Sequence, residues 1–268
     1  MPFIDHDGTP IYHETSGTGE PLLLLSGLGG GTWSWYGQVP FFQTRYQTIT
    51  IDNRGAGKSG MPPGPYRMDQ FAGDALAVLD HLAVRRAAVM GLSMGGMIAQ
   101  ELVLAAPDRV QALVLGCTHC GGERRLPPDP KTLAAFVDNR GLSSEQIIAK
   151  NLPFFFSRGC FERRPEVIET YRRIQVASPE QPEPAFAAQL EAIRTFDAGS
   201  RLDRIQVPTL VIAGTEDQLV PFENARILAA AIAGSRLVSL PGAGHAIHAE
   251  CGDQLNQLAL AFFESTAQ

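Results

Sequence analysis

Ser93 stands in Gly91-Leu92-Ser93-Met94-Gly95-Gly96, with a glycine two positions away on either side. An apolar run, Ala87 to Met90, precedes it. An apolar stretch of helical character, Met94 to Ala106, follows and stops before Pro107. A serine on a tight strand-to-helix turn is held at φ > 0, which non-glycine residues disfavour. Its neighbours two positions away must be small for the chain to pass so closely, and Gly91 and Gly95 meet that demand. Such a turn lifts the hydroxyl above the C-terminal edge of a sheet. The helix behind it aims unpaired amides and a positive dipole end at the same place. These residue types in this order suit attack by Ser93 on a carbonyl carbon, with the Met94 amide available to the developing oxyanion.

A carbonyl reaction needs two donors on one oxygen, and losing one typically costs about 10²–10³ in turnover. Ser26-Gly27-Leu28-Gly29-Gly30-Gly31 closes the first strongly apolar run, and glycines there let backbone approach a ligand. The Leu28 amide is the expected second donor. A nucleotide loop competes for the same glycines, with Asp52 as its acidic residue. Against it, Gly27 to Thr32 lacks the last glycine of G-x-G-x-x-G and the Lys-Ser/Thr ending of a P-loop.

The serine needs a base within hydrogen-bond reach. Of six histidines, His245 in Gly242-Ala243-Gly244-His245 lies between the last strand-like run and the final helical pattern, where glycines permit a turn aimed at Ser93. His248 is its rival. An acid that fixes the imidazole tautomer should follow the preceding run, Thr209 to Ala213, in the chain order Ser, Asp/Glu, His. Glu216 and Asp217 both stand there.

The elements that must position these groups are short apolar runs alternating with helical patterns. Pro21 to Ser26, Gln47 to Asp52, Ala87 to Met90, Ala112 to Leu115, Thr209 to Ala213 and Leu237 to Leu240 suit strands buried in a parallel sheet. Asp69 to Leu82, Met94 to Ala106, Pro221 to Ile232 and Ala246 to Phe263 read as helices, so the alternation predicts an α/β sheet with right-handed crossovers. Asp7-Gly8 between Phe3-Ile4-Asp5 and Ile11-Tyr12-His13 predicts an antiparallel hairpin at one edge. From Cys120 to Arg204 the rhythm breaks: prolines and helical pieces replace strands, which predicts a mostly helical insertion after the sixth strand. Phe154-Phe155-Phe156 within it suits either packing on the main body or an apolar pocket wall.

The 268 residues carry a formal net charge of -6, against nucleic acid, whose binders usually present a basic field. No run reaches the roughly 18 apolar residues of a membrane span. The N-terminal Met1 to Asp5 has neither the basic nor the apolar region of a signal peptide, so the cytoplasm is the expected location. Four cysteines are too few for a disulfide scaffold. Cys117-Thr118-His119-Cys120 could be a redox pair or half a zinc site, but no second pair accompanies it, and reduced cysteines at a buried strand end are expected.

With these positions in place, nearly the whole chain resembles the α/β-hydrolase superfamily. Asp52-Asn53-Arg54-Gly55-Ala56-Gly57-Lys58-Ser59 is similar to its D-x-R-G-x-G-x-S loop. Gly91 to Gln100, Gly214 to Pro221 and Gly242 to Glu250 resemble its nucleophile, acid and histidine segments. The resemblance implies a mostly parallel eight-stranded sheet with helices on both faces. It divides the chain into a core, 1–119 and 205–268, and a helical cap, 120–204. It favours Asp217 over Glu216 as the acid, and gives Asp52 and Arg54 the structural task of tying loops together. Glu250 could brace the histidine loop.

The GLSMGGMIAQ form resembles 3-oxoadipate enol-lactonases and small carboxylesterases. That implies acyl transfer to Ser93 from a small or medium carboxylic ester, with an enol-lactone as a subset, water as second substrate and no metal or organic cofactor. Trp33, Trp35 and Phe154 are the candidate pocket residues, with core packing as the competing account of the tryptophans. One departure stands out: Ser26-Gly27 replaces the His-Gly of many members, which leaves the Leu28 amide in place but alters the loop's surroundings. Haloalkane dehalogenases and epoxide hydrolases are disfavoured because Ser93 replaces their aspartate. A cofactor-free perhydrolase or haloperoxidase, or a C–C bond hydrolase, would use the same three residues. A non-catalytic binding protein on the fold is the alternative of another class. Monomer and homodimer both suit the sequence.

Overall fold

The computed structural model describes residues 2–266. It opens with an antiparallel hairpin, β1 (Phe3–His6) and β2 (Thr9–Ser16), turning on Asp7 and Gly8 at φ 51° and 72°. Both central residues at positive φ match the right-handed twist of hairpin strands. Six strands follow: β3 (Glu20–Leu25), β4 (Tyr46–Ile51), β5 (Ala87–Leu92), β6 (Val110–Gly116), β7 (Thr209–Gly214) and β8 (Arg236–Leu240). The sheet order is β1-β2-β4-β3-β5-β6-β7-β8, and every pair from β4 onward is parallel. β5 and β7 are buried at every residue, which is why they read as unbroken apolar runs.

The order places the site. From β3 the chain crosses outward to β4, then reverses across β3 to β5. Right-handed crossovers in opposite directions put their helices on opposite faces. The point of reversal leaves a crevice beyond the carboxyl ends of β3 and β5. Leu25 pairs with Gly91 and Leu92 with Gly116, so β3, β5 and β6 end almost level. The loop Ser26–Gly31, Ser93 and Cys117 all leave the sheet at this edge.

The helix Met94–Ala105 is buried except at Glu101 and Ala105, so it shows no single apolar stripe. The pattern predicted from Ala246 to Phe263 divides into a short helix, Ile247–Glu250, and a longer one, Gly252–Thr266. The division follows Glu250, whose carboxylate bends back to accept from the Gly244 amide at 3.0 Å.

Between β6 and β7 lie five α-helices, Pro130–Val137, Ser144–Phe155, Arg158–Arg163, Pro165–Ala177 and Glu183–Thr195, and a 3-10 helix, Gly199–Arg204. Three of the prolines that broke the strand rhythm start helices: Pro130, Pro165 and Pro184 lie in first turns, where no amide hydrogen is missed. Asp129, Ser143 and Ser157 cap helix starts with their side chains. The insertion is pinched at its neck. Gly121 pairs with Asp197, and the Ala198 amide donates to the Cys120 carbonyl at 2.8 Å. Ala198 and Leu202 belong to the main core, as do Ala188, Ala192 and Phe196 just before the neck. A second, smaller core joins Leu152, Phe156, Ile168 and Tyr171 of the insertion to Ala246 and Ala249 behind the histidine loop.

Candidate active site

Ser93 sits between β5 and its helix at φ 55°, ψ −121°. Its amide donates to the Gly116 carbonyl at 2.9 Å, and its carbonyl accepts from Thr118 Oγ1 at 2.7 Å. The neighbouring strand end therefore holds the unfavourable backbone in place. A Cβ on Gly91 would strike the Gly95 carbonyl, and one on Gly95 would strike the Leu25 carbonyl. Both obstacles are backbone, which explains the two glycines.

His245 Nε2 lies 3.0 Å from Ser93 Oγ, and its Nδ1 lies 2.7 Å from Asp217 Oδ2. Asp217 Oδ1 accepts from the Leu219 and Val220 amides at 2.9 and 2.8 Å. The loop after β7 thus fixes the carboxylate before the histidine meets it. The Asp217 side chain is 0% exposed and that of His245 9%. Glu216 is exposed, and the close hydrogen bond to the imidazole comes from Asp217 alone of the two. The ring of Phe155 stacks on His245, centroids 6.1 Å apart. Glu250 accepts from the Gly244 and Ser157 amides at 3.0 and 3.1 Å and also bonds Ser157 Oγ. One carboxylate therefore ties the histidine loop to the insertion.

The glycine-rich loop is a tight turn. The Gly30 amide donates to the Gly27 carbonyl at 3.0 Å, and Gly29 takes φ 69°. Positive φ at the third position alone is the mark of a type II turn. Gly27 lies against the serine: a Cβ there would be 3.2 Å from Ser93 Cβ. Among the described residues the amides of Leu28 and Met94 have no acceptor. The site can therefore move a proton from Ser93 Oγ to Nε2 and offers two free amides beside it.

Asp52 does tie loops, its oxygens accepting from the Thr32 and Lys58 amides at 2.7 and 2.8 Å. Arg54 does so differently, through a buried two-toothed pair with Asp74, both bonds 2.6 Å. The three candidate pocket residues, Trp33, Trp35 and Phe154, have separate surroundings. Trp35 is 1% exposed in the main core. Trp33 wedges against Gly31 and Gly57 beside Asp52. Phe154 packs on Phe136 within the insertion, so the aromatic on the histidine is its neighbour Phe155. An aromatic triplet in the sequence cannot say which ring faces inward.

Sequence reasoning did not single out Gln189. It is 0% exposed, accepting from the Gly29 amide at 2.9 Å and donating to the Arg54 carbonyl at 2.7 Å. A signal existed: it shares the helix's buried face with Ala185, Ala188 and Ala192, and a polar residue there must find partners.

Cys117, Asp217 and His245 hold sulfur, oxygen and nitrogen atoms within 4.8 Å of one another, close enough to share an ion. Burial, then Asp217, pushes the Cys117 thiol well above its ordinary range, which favours S–H over a ligating thiolate. All four cysteines are free. Burial, reinforced by Arg125, lowers His119 to about 3, and burial, reinforced by His245, lowers His248 to about 4. Both rings are neutral near pH 7.

A family model described as alpha/beta hydrolase fold matches residues 20–250. The chain is 30% identical to the Azorhizobium caulinodans protein named "Putative carbamate hydrolase RutD", over 98% of this chain and 98% of that one. It is 32% identical to 3-oxoadipate enol-lactonase 2 of Acinetobacter baylyi, over 81% of this chain and 78% of that one. Among solved structures, the enol-lactonase from Burkholderia xenovorans superposes with a TM-score of 0.86 at 29% identity, covering 98% of this chain and 100% of that one.

Proposed function

The chain belongs to the α/β-hydrolase fold family, and from that premise we propose that it cleaves a small or medium carboxylic ester, enol-lactones included, through an acyl-enzyme on Ser93. The observation that carries this reading is the unbroken chain Ser93 Oγ–His245–Asp217, at 3.0 and 2.7 Å, beside two amides without acceptors. Serine attacks the carbonyl carbon as Nε2 takes its proton, while Nδ1–H donates to Asp217. The Leu28 and Met94 amides hold the oxyanion. Collapse expels the alkoxide, which takes the proton from Nε2. Water then attacks the acyl-enzyme, giving its proton to Nε2, and the second collapse frees the acid and restores Ser93.

The Phe155 ring stacked on His245 supports a partly apolar group in the ester. The test uses a fluorophosphonate and a panel of esters, lactones and carbamates of graded acyl length. The wild type should label at Ser93 and hydrolyse esters or lactones best. Ser93→Ala should fold, resist labelling and lose turnover; undiminished hydrolysis by that variant would sink the reading.

A further inference from the structure

We propose that Gln189 of the insertion is a positioning residue for the oxyanion-binding turn, so that the Leu28 amide is aimed only while the insertion is seated. This rests on the serine-hydrolase reading above. The turn contains Gly27, Gly29, Gly30 and Gly31, so its own side chains do little to fix it. Glycine loses more backbone freedom on ordering than any other residue. Anchors from outside must therefore hold the turn.

One anchor from the main body holds its start, and the turn's own bond holds its closure. Asn53 Nδ2 donates to the Ser26 carbonyl at 3.1 Å, and Gly30 closes on Gly27 at 3.0 Å. The central peptide, Leu28–Gly29, is held by neither of these bonds. Its amide hydrogen goes to Gln189 Oε1 at 2.9 Å. Gln189 cannot swing away cheaply, because its Nε2 donates to the Arg54 carbonyl at 2.7 Å and the whole residue is buried. An amide flip would set hydrogen against hydrogen at the Gly29 amide and oxygen against oxygen at the Arg54 carbonyl. A second glutamine of the insertion adds to this: Gln181 donates to the Gly55 carbonyl at 2.8 Å while its Oε1 packs beside Gly29.

Rotation of the Leu28–Gly29 peptide turns the preceding peptide with it, and that peptide carries the Leu28 hydrogen. Small misplacements of this kind can cost up to about 10² in rate. Chain segments far apart in sequence thus complete one donor pair: Gln189 is 160 residues from Gly29. In this chain, where Ser26-Gly27 stands in place of His-Gly, the bond to the Gly29 amide comes from the insertion.

The test is Gln189→Met, which keeps length and volume but removes both hydrogen bonds. Turnover of 4-nitrophenyl butyrate is measured per site titrated by fluorophosphonate, beside thermal unfolding and inhibition by phenylboronic acid. The expected result is a kcat about tenfold lower, a KM within about twofold, and boronate inhibition weakened by a similar tenfold. A kcat per titrated site within twofold of wild type overturns the inference, whatever happens to the unfolding temperature. If Gln189→Met does not fold, Gln189→Glu serves. Its carboxyl keeps the acceptor for Gly29 and, protonated, a donor for Arg54. It should fold and retain kcat within about threefold; a folded variant that loses tenfold overturns the inference. Failure of the parent reading looks different: the wild type itself would not label, or Ser93→Ala would keep its activity.

Discussion

At Ser93 the backbone carries the strain and, in the proposed mechanism, the side chain carries the chemistry, and each has its own support. The loops around it hold single groups so firmly that isosteric changes report on one interaction at a time. Asp217→Asn keeps an oxygen for the Leu219 and Val220 amides but turns a donor toward Nδ1. The imidazole must then take the other tautomer, and kcat should fall by about 10⁴ with the fold intact, read by steady-state kinetics and circular dichroism. Leu28→Pro removes one amide hydrogen. Proline suits the second position of a type II turn, so the turn should persist. The expected loss is about 10² or more in kcat, and retention of wild-type turnover would remove Leu28 from the site.

At the scale of elements, strand ends and helix starts are packed backbone against backbone. Gly95→Ala would push its methyl into the Leu25 carbonyl at the end of β3. Overpacking of this kind typically costs about 1–3 kcal/mol, occasionally more. The variant should melt earlier and label poorly at Ser93, since the helix must back away from β3 to admit the methyl. Arg54 and Asp74 join the loop after β4 to the helix Met68–His81, with side chains 5% and 3% exposed. Arg54→Met leaves Asp74 buried with only His6 as its partner. It should cost about 3–5 kcal/mol, measured by urea unfolding. The strands and helices were readable because both-face burial leaves unbroken apolar runs. Where one residue's side chain redirects the chain, as Glu250 does, periodicity ran on through the break and predicted a single helix.

At the scale of the whole molecule, two buried imidazoles set a pH dependence. His119 and His248 are lowered to about 3 and about 4, chiefly by burial. In the unfolded chain both titrate near 6.5. Between those values the unfolded chain binds more protons, so stability is complete above about pH 6.5 and declines as pH falls toward about 4. Urea midpoints should therefore drop from pH 7 to pH 5, and His248→Gln should flatten that slope. An equal slope in the variant would show that His248 does not stay neutral in the fold.

The sequence alone determined the order of strands and helices and the serine, histidine and acidic segments. These are local demands: a tight turn needs Gly91 and Gly95, and a doubly buried strand needs an apolar run. It also located the insertion, because prolines and missing strands mark it. Only the tertiary structure decided that Phe155 rather than Phe154 lies on His245, and that Gln189 reaches the Gly29 amide. Those contacts join segments by the docking of one layer on another. The orientation of the insertion selects which side chain of a helix meets which loop, and no spacing along the chain encodes that orientation.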